Sequence, residues 1–154
     1  DTAYIQAGTE FLFDGQYNFN VYGTLKAIGT ESDSIIFDNY GDDKWRGFTL
    51  DNCSDQTTFE YVRISGANKD NGSGMFISNS DPKISHVKIS SNGLGDCCVN
   101  YGGIFLYLSN PILSNILISG NVGEDGGGID RPDHKIVRRD RWDQRCARKH
   151  RAIF

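Results

Sequence analysis

Four carboxylates stand just ahead of glycines that recur along the chain: Asp43 four residues before Gly47, Asp70 four before Gly74, and Glu124 and Asp125 four and three before Gly128. If those glycines open successive layers of a stacked fold, equivalent side chains lie about 4.8 Å apart, the spacing of neighbouring strands. Carboxylates that close repel one another unless solvated or bridged. A hard cation such as Ca²⁺, which takes roughly six to eight oxygen ligands, would bridge them. Asp43, Asp70, Glu124 and Asp125 are therefore the candidate metal ligands. The competing reading is that Asp, Asn and Gly simply make turns, and Asp96, seven residues before Gly103, breaks the register.

Asp42 and Asp43 also form an adjacent carboxylate pair, with Lys44 and Arg46 beside them as candidate clamps for a substrate. Glycoside hydrolysis needs two carboxyl groups roughly 5–10 Å apart, one on each side of the scissile bond. Neighbours on a strand point to opposite faces, so a loop would have to place both. The three histidines, His86, His134 and His150, form no His-x-x-x-His pair and no recognisable nucleophile triad. His86, between the apolar Ile84 and Val87, reads as a surface or turn residue. Cys53, Cys97, Cys98 and Cys146 lack zinc spacing, since Cys97 and Cys98 are adjacent. They are read either as disulfide partners of an exported protein or as buried small hydrophobes.

The elements that would position these groups follow from an internal repeat. Gly74-Met75-Phe76-Ile77 through Pro82 lies over Gly103-Ile104-Phe105-Leu106 through Pro111 at a spacing of 29 residues. The match continues with Ser85 over Ser114, Val87 over Ile116, Ile89 over Ile118 and Asn92 over Asn121. Gly47-Phe48 begins an earlier copy and Gly128-Ile129 a later one. Apolar residues alternate within each copy, which is strand spacing. A unit of two or three short strands cannot bury its apolar face alone, so successive copies must stack. The expected fold is all-β: a short parallel β-helix over residues 1–129 of about four to five coils. Asn92 and Asn121, one coil apart, predict an asparagine ladder inside a turn.

Composition supports one domain and divides the chain. The 154 residues include 18 glycines, all before residue 130. Residues 1–129 hold seven basic and sixteen acidic residues, and residues 130–154 hold nine basic and four acidic. The basic tail has two readings. It is a cap, with Trp142, Cys146, Lys149 and Ile153 on one helical stripe, or a junction foreign to the fold. Its arginines pair more simply with the acidic body than with nucleic acid, so no nucleic-acid partner is expected. No apolar run approaches the roughly 20 residues of a membrane span, and no membrane partner is expected.

The segments Val21-Tyr22-Gly23-Thr24-Leu25 to Thr30, Ile35-Ile36-Phe37 and Trp45-Arg46-Gly47-Phe48, with the repeated Gly-Ile/Met and Ile-Ser-x-Asn stretches, resemble the right-handed parallel β-helix proteins of the pectate-lyase-like superfamily. The likeness covers about residues 8–129. It implies a right-handed helix and a secreted or cell-surface protein of a bacterium or archaeon that binds or processes polysaccharide. The tail departs from it, and so do the catalytic motifs. No Gly-His-Gly is present, and Arg63-Ile64-Ser65 lacks the Lys of an Arg-Ile-Lys segment. No intact lyase or glycosidase motif is found.

Strand parity completes the expectations. With Met75, Ile77, Ile104 and Leu106 inward, Phe76, Phe105 and Tyr107 point outward on one sheet, with Phe76 and Phe105 stacked. Together with Asp43 these are the candidate ligand-binding residues: such aromatics suit the flat face of a sugar, but mixed with exposed aliphatics they point more to a face covered by the tail or by another subunit. Leu108, Ile112 and Leu117 stand where the preceding copy has Asn79, Lys83 and Lys88, so the last coil is apolar outside. Two functions follow: a carbohydrate-binding or polysaccharide-acting β-helix, or a structural solenoid that self-associates, as a dimer, through its C-terminal coil and tail.

Overall fold

The structure, a computed structural model, describes residues 1–69, 72–93, 101–123 and 126–131. Every element in them is a strand, and they contain no helix long and apolar enough to cross a membrane. The first coil consists of β1 (Thr2–Ile5), β2 (Glu10–Phe13) and β3 (Phe19–Val21), and the second of β4 (Thr24–Ile28), β5 (Ile35–Asn39) and β6 (Phe48–Asp51). Then come β7 (Thr58–Glu60), β8 (Val62–Ile64) and β9 (Met75–Ser78), followed by β10 (Lys83–Ser85), β11 (Lys88–Ser90) and β12 (Ile104–Tyr107). The last coil has β13 (Ile112–Ser114), β14 (Leu117–Ser119) and β15 (Ile129–Asp130).

Corresponding strands of successive coils pair in parallel and build three five-stranded sheets. Sheet A is β1-β4-β7-β10-β13, sheet B is β2-β5-β8-β11-β14, and sheet C is β3-β6-β9-β12-β15. This is a parallel β-solenoid. The 29-residue repeat is its register: Phe76 pairs with Phe105, Ile84 with Leu113 and Ile89 with Ile118. The weaker copies hold as well, with Phe48 opposite Met75 and Ile104 opposite Ile129. The solenoid begins before the segment that resembles a family, because β1 at Thr2–Ile5 already pairs with β4.

Inward positions stack into the core. Leu25, Phe37, Phe48, Phe59, Ile64, Met75, Ile84 and Ile104 are all buried, and burial of this kind stabilises by about 1.5–3 kcal/mol per large apolar side chain. The corner between sheets A and B is tight from the third coil onward. It turns on Tyr61, His86 and Asn115, each with φ near the left-handed region at 49°, 53° and 53°. That conformation is uncommon for residues with a Cβ, and Asn and His are among those that tolerate it. The corner between sheets B and C is wide and carries the long loops. It includes Gly47 at φ 66°, where a Cβ would lie 1.9 Å from the Ser73 carbonyl oxygen. Only glycine fits that approach.

Candidate functional site at the B–C corner

Equivalent positions at this corner are fixed by one backbone pattern. Arg46 N donates to Tyr17 O (2.8 Å), Asn68 N to Trp45 O (2.7 Å), Gly93 N to Ala67 O (2.7 Å) and Val122 N to Asn92 O (2.8 Å). Tyr17, Trp45, Ala67, Asn92 and Asn121 therefore form one column, one residue per coil. Four of them face inward and are fully buried or nearly so, whereas Tyr17 is 58% exposed.

The expected asparagine ladder is present inside the column. Asn92 Oδ1 accepts from Ala67 N, and Asn121 Oδ1 accepts from both Asn92 N and Asn92 Nδ2, each at 3.0 Å. The two amides also donate along the stack, to Ile64 O (3.1 Å) and Ile89 O (2.9 Å). Trp45 performs the same service from the other side, its Nε1 donating to Ser65 O at 2.7 Å. Buried backbone groups at this turn are thus paired, as burial demands.

Outside this column, the loops of the first two coils lie one on the other. Tyr40 N donates to Phe13 O (2.7 Å), and Arg46 Nη2 donates to Gln16 Oε1 (3.0 Å). Lys44 Nζ donates to Asn39 Oδ1 (3.2 Å), while Asn39 N donates to Asp38 Oδ1 (2.8 Å). Tyr17 lies over Gly15, whose missing side chain leaves room for the ring. Tyr40 is 65% exposed, and Asp42 and Asp43 are exposed between it and Lys44. The loop of the first coil thus carries the open ring of Tyr17 beside a fixed guanidinium and amide, and the loop of the second carries the open ring of Tyr40 with the exposed carboxylates of Asp42 and Asp43. In the next layer Asn68 Oδ1 is buried without a hydrogen-bond partner. Asp42 and Asp43 do sit in a loop, as a carboxylate pair would require.

The other candidate residues are distributed differently. Phe76 and Phe105 project outward from sheet C and stack, centroids 5.7 Å apart and planes 9° apart. That arrangement turns ring faces toward each other. Lys69 Nζ lies 5.4 Å from the Phe76 centroid and donates to Thr49 Oγ1 (2.6 Å), and Tyr101 leans on Phe105 at 4.5 Å. The pair is half-buried, so a sugar ring would have to displace a neighbour to reach a face. Tyr107 is exposed on the same sheet, two residues along β12. Of the metal set, Asp43 is described, whereas Asp70, Glu124 and Asp125 lie outside the described residues, as does Asp96. No group of three His, Cys, Asp or Glu that could hold a metal occurs among the described residues. Cys53 is a free buried thiol, the second of its two readings. Cys97, Cys98, Cys146, His134, His150 and the helical stripe of the tail lie outside the described residues.

Sequence reasoning missed Tyr17, Tyr40 and Gln16. Their signal was an aromatic set among turn formers, in Asp14-Gly15-Gln16-Tyr17 and Asn39-Tyr40-Gly41, where alternation gives no inward slot. No family model, no curated protein and no solved structure matches this chain, so what is shown is the parallel β-solenoid and not membership of the pectate-lyase-like superfamily.

Proposed function

We propose that the chain is a carbohydrate-binding β-helix of a secreted or cell-surface protein, of the pectate-lyase-like type that its repeats resemble. The supporting observation is that Tyr17, beside Arg46 and Gln16, and Tyr40 stand open on loops of successive coils that lie one on the other. Exposed aromatic faces stack on the apolar faces of sugar rings, and fixed polar heads bond the hydroxyl groups around them. The reading is one of binding: it assigns no bond cleavage to Asp42 or Asp43. Affinity electrophoresis in gels containing soluble polysaccharides tests it, with and without Ca²⁺. Retardation by at least one polysaccharide, lost in Tyr17→Ala/Tyr40→Ala with the fold unchanged by circular dichroism, supports the reading. Equal mobility of the two proteins in every gel overturns it.

A structural, self-associating role is the second reading, favoured by the outer surface of the last coil, where Leu108, Ile112 and Leu117 are 59%, 61% and 48% exposed. Apolar surface of this kind marks contacts between proteins. Sedimentation over a hundredfold concentration range checks it. A mass that rises to that of a dimer supports it, and a monomer throughout removes it.

A further inference from the structure

Sheets A and B carry a second feature, on the side of the tight corner. Arg63 and Lys88 are register partners on the outer face of sheet B, about 4.8 Å apart as neighbouring strands are. Lys83 stands on the outer face of sheet A, and between Lys83 and Lys88 the chain turns at His86. All four side chains are exposed. His86 is held in place, its ring stacked on Tyr61 at 4.5 Å and its Nε2 3.0 Å from Asn115 Nδ2.

Like charges in direct register repel, and a sheet normally avoids the pairing. Among the described residues nothing compensates it. Among the described residues, the side chains of Arg63, Lys83 and Lys88 form no hydrogen bond or ion pair. Glu60 and Asp38 occupy neighbouring outer columns, Glu60 diagonal to Lys83 and Asp38 diagonal to Arg63, and neither closes on a cation. Lys26, farther along the Lys83 column, is by contrast tied to Gln56 O and to Thr58 Oγ1. Three free cations on a body with sixteen acidic residues against seven basic ones form a local field of the opposite sign, which draws an anion from solution.

We propose that Arg63, Lys83 and Lys88, with His86 at their centre, form a docking strip for an extended polyanion carrying sulfate or phosphate groups. Two cationic heads one strand apart suit an oxyanion with several terminal oxygens, which accepts from both at once. The strip covers the third and fourth coils and ends at the fifth, where Ile112 and Leu117 take the register of Lys83 and Lys88. It lies at the A–B corner, not at the B–C corner that carries the tyrosines, and does not rest on the carbohydrate reading.

The test is binding of the full chain to dextran sulfate, to inorganic polyphosphate and to neutral dextran, measured by fluorescence anisotropy at several salt concentrations. Two variants of equal charge are compared: Arg63→Gln/Lys83→Gln/Lys88→Gln, and Arg138→Gln/Arg139→Gln/Arg141→Gln in the basic tail. The expected result is binding to one or both polyanions and not to neutral dextran. It weakens at least tenfold in the strip variant, with a salt slope shallower by about 2–3. Lys83→Arg/Lys88→Arg retains it. Preference for dextran sulfate or for polyphosphate identifies the source of the anion. Equal losses in the strip and tail variants, or wild-type binding and slope in the strip variant, overturn the proposal.

Discussion

The first two coils and the last two solve the same packing problem with different chemistry. In the first half the core is aromatic. Phe11 stacks on Phe37 at 4.8 Å and Phe13 on Trp45 at 4.4 Å, while Phe48 meets Phe37 edge-on at 4.7 Å. In the last two coils the inner columns are aliphatic, with Ile89 over Ile118 on sheet B and Ile104 over Ile129 on sheet C, and the corners are closed by polar ladders. At the B–C corner the column runs from Trp45 through Ala67 to Asn92 and Asn121. At the C–A corner, Cys53 N donates to Ser80 Oγ (3.0 Å) and Ser80 N to Ser109 Oγ (3.1 Å). The difference teaches that bulk and hydrogen bonding are interchangeable ways to fill a solenoid corner, provided that no backbone group is left bare. The third coil shows it most clearly: Ala67 has no polar side chain, and its turn is served from both neighbours, by Trp45 at Ser65 O and by Asn92 at Ile64 O and Ala67 N.

The largest break in this pairing comes from the aromatic side. Trp45→Ala opens a cavity in a fully buried site and removes the bond to Ser65 O, so urea denaturation should give a loss of about 3–5 kcal/mol. Trp45→Phe keeps most of the volume and drops the indole donor, and should cost about 1–3 kcal/mol, the range for a buried acceptor left unpaired.

On the polar side, Asn92→Ala strands Ala67 N and Ile64 O together. A loss of about 2–4 kcal/mol in the same denaturation experiment is expected, from roughly 1–3 kcal/mol per buried unsatisfied group. Asn92→Leu, which fills the space, should be no better. If it restores stability, the ladder acts by volume and the contrast between the two halves disappears. Because both side chains serve one coil, Trp45→Phe and Asn92→Ala combined should deviate from additivity by more than about 0.5 kcal/mol.

Smaller effects sharpen the contrast at the margins. Ser80→Ala leaves Cys53 N without its acceptor and should cost about 1–2 kcal/mol. At the exposed corner, Tyr61→Ala removes the stack on His86, which is worth about 0.5–1 kcal/mol, and thermal melting should move by only a few degrees.

How far the sequence disclosed all this depended on what stayed constant between coils. The strands, their parity and the Asn92–Asn121 ladder were legible because residue type and spacing both repeat at 29. The equivalence of Trp45 with Ala67 and Asn92 was hidden. Loops of different length shift the spacing, and the residue type changes from aromatic to small to amide, so no self-comparison aligns them. Asp43 was found through turn chemistry and does lie in an open loop. Tyr17 and Tyr40 were not legible, because an exposed ring in a loop leaves no periodic trace. The contacts of Lys69 with Phe76 and of Tyr101 with Phe105 were equally illegible, since neither Lys69 nor Tyr101 lies on a repeating strand.

The ladders also have a direction in time. Asn92, Asn121, Ser80 and Ser109 each belong to the coil made after the one whose backbone N–H they receive. A ribosome releases the chain from the N-terminal end, so every new coil completes its predecessor and arrives incomplete itself. The aromatic second coil is no exception, since its Leu25 N donates to Thr57 Oγ1 (3.3 Å) and Cys53 N to Ser80 Oγ (3.0 Å), both supplied by residues made later. The solenoid is laid down like courses of brick, with the newest course always open to the next.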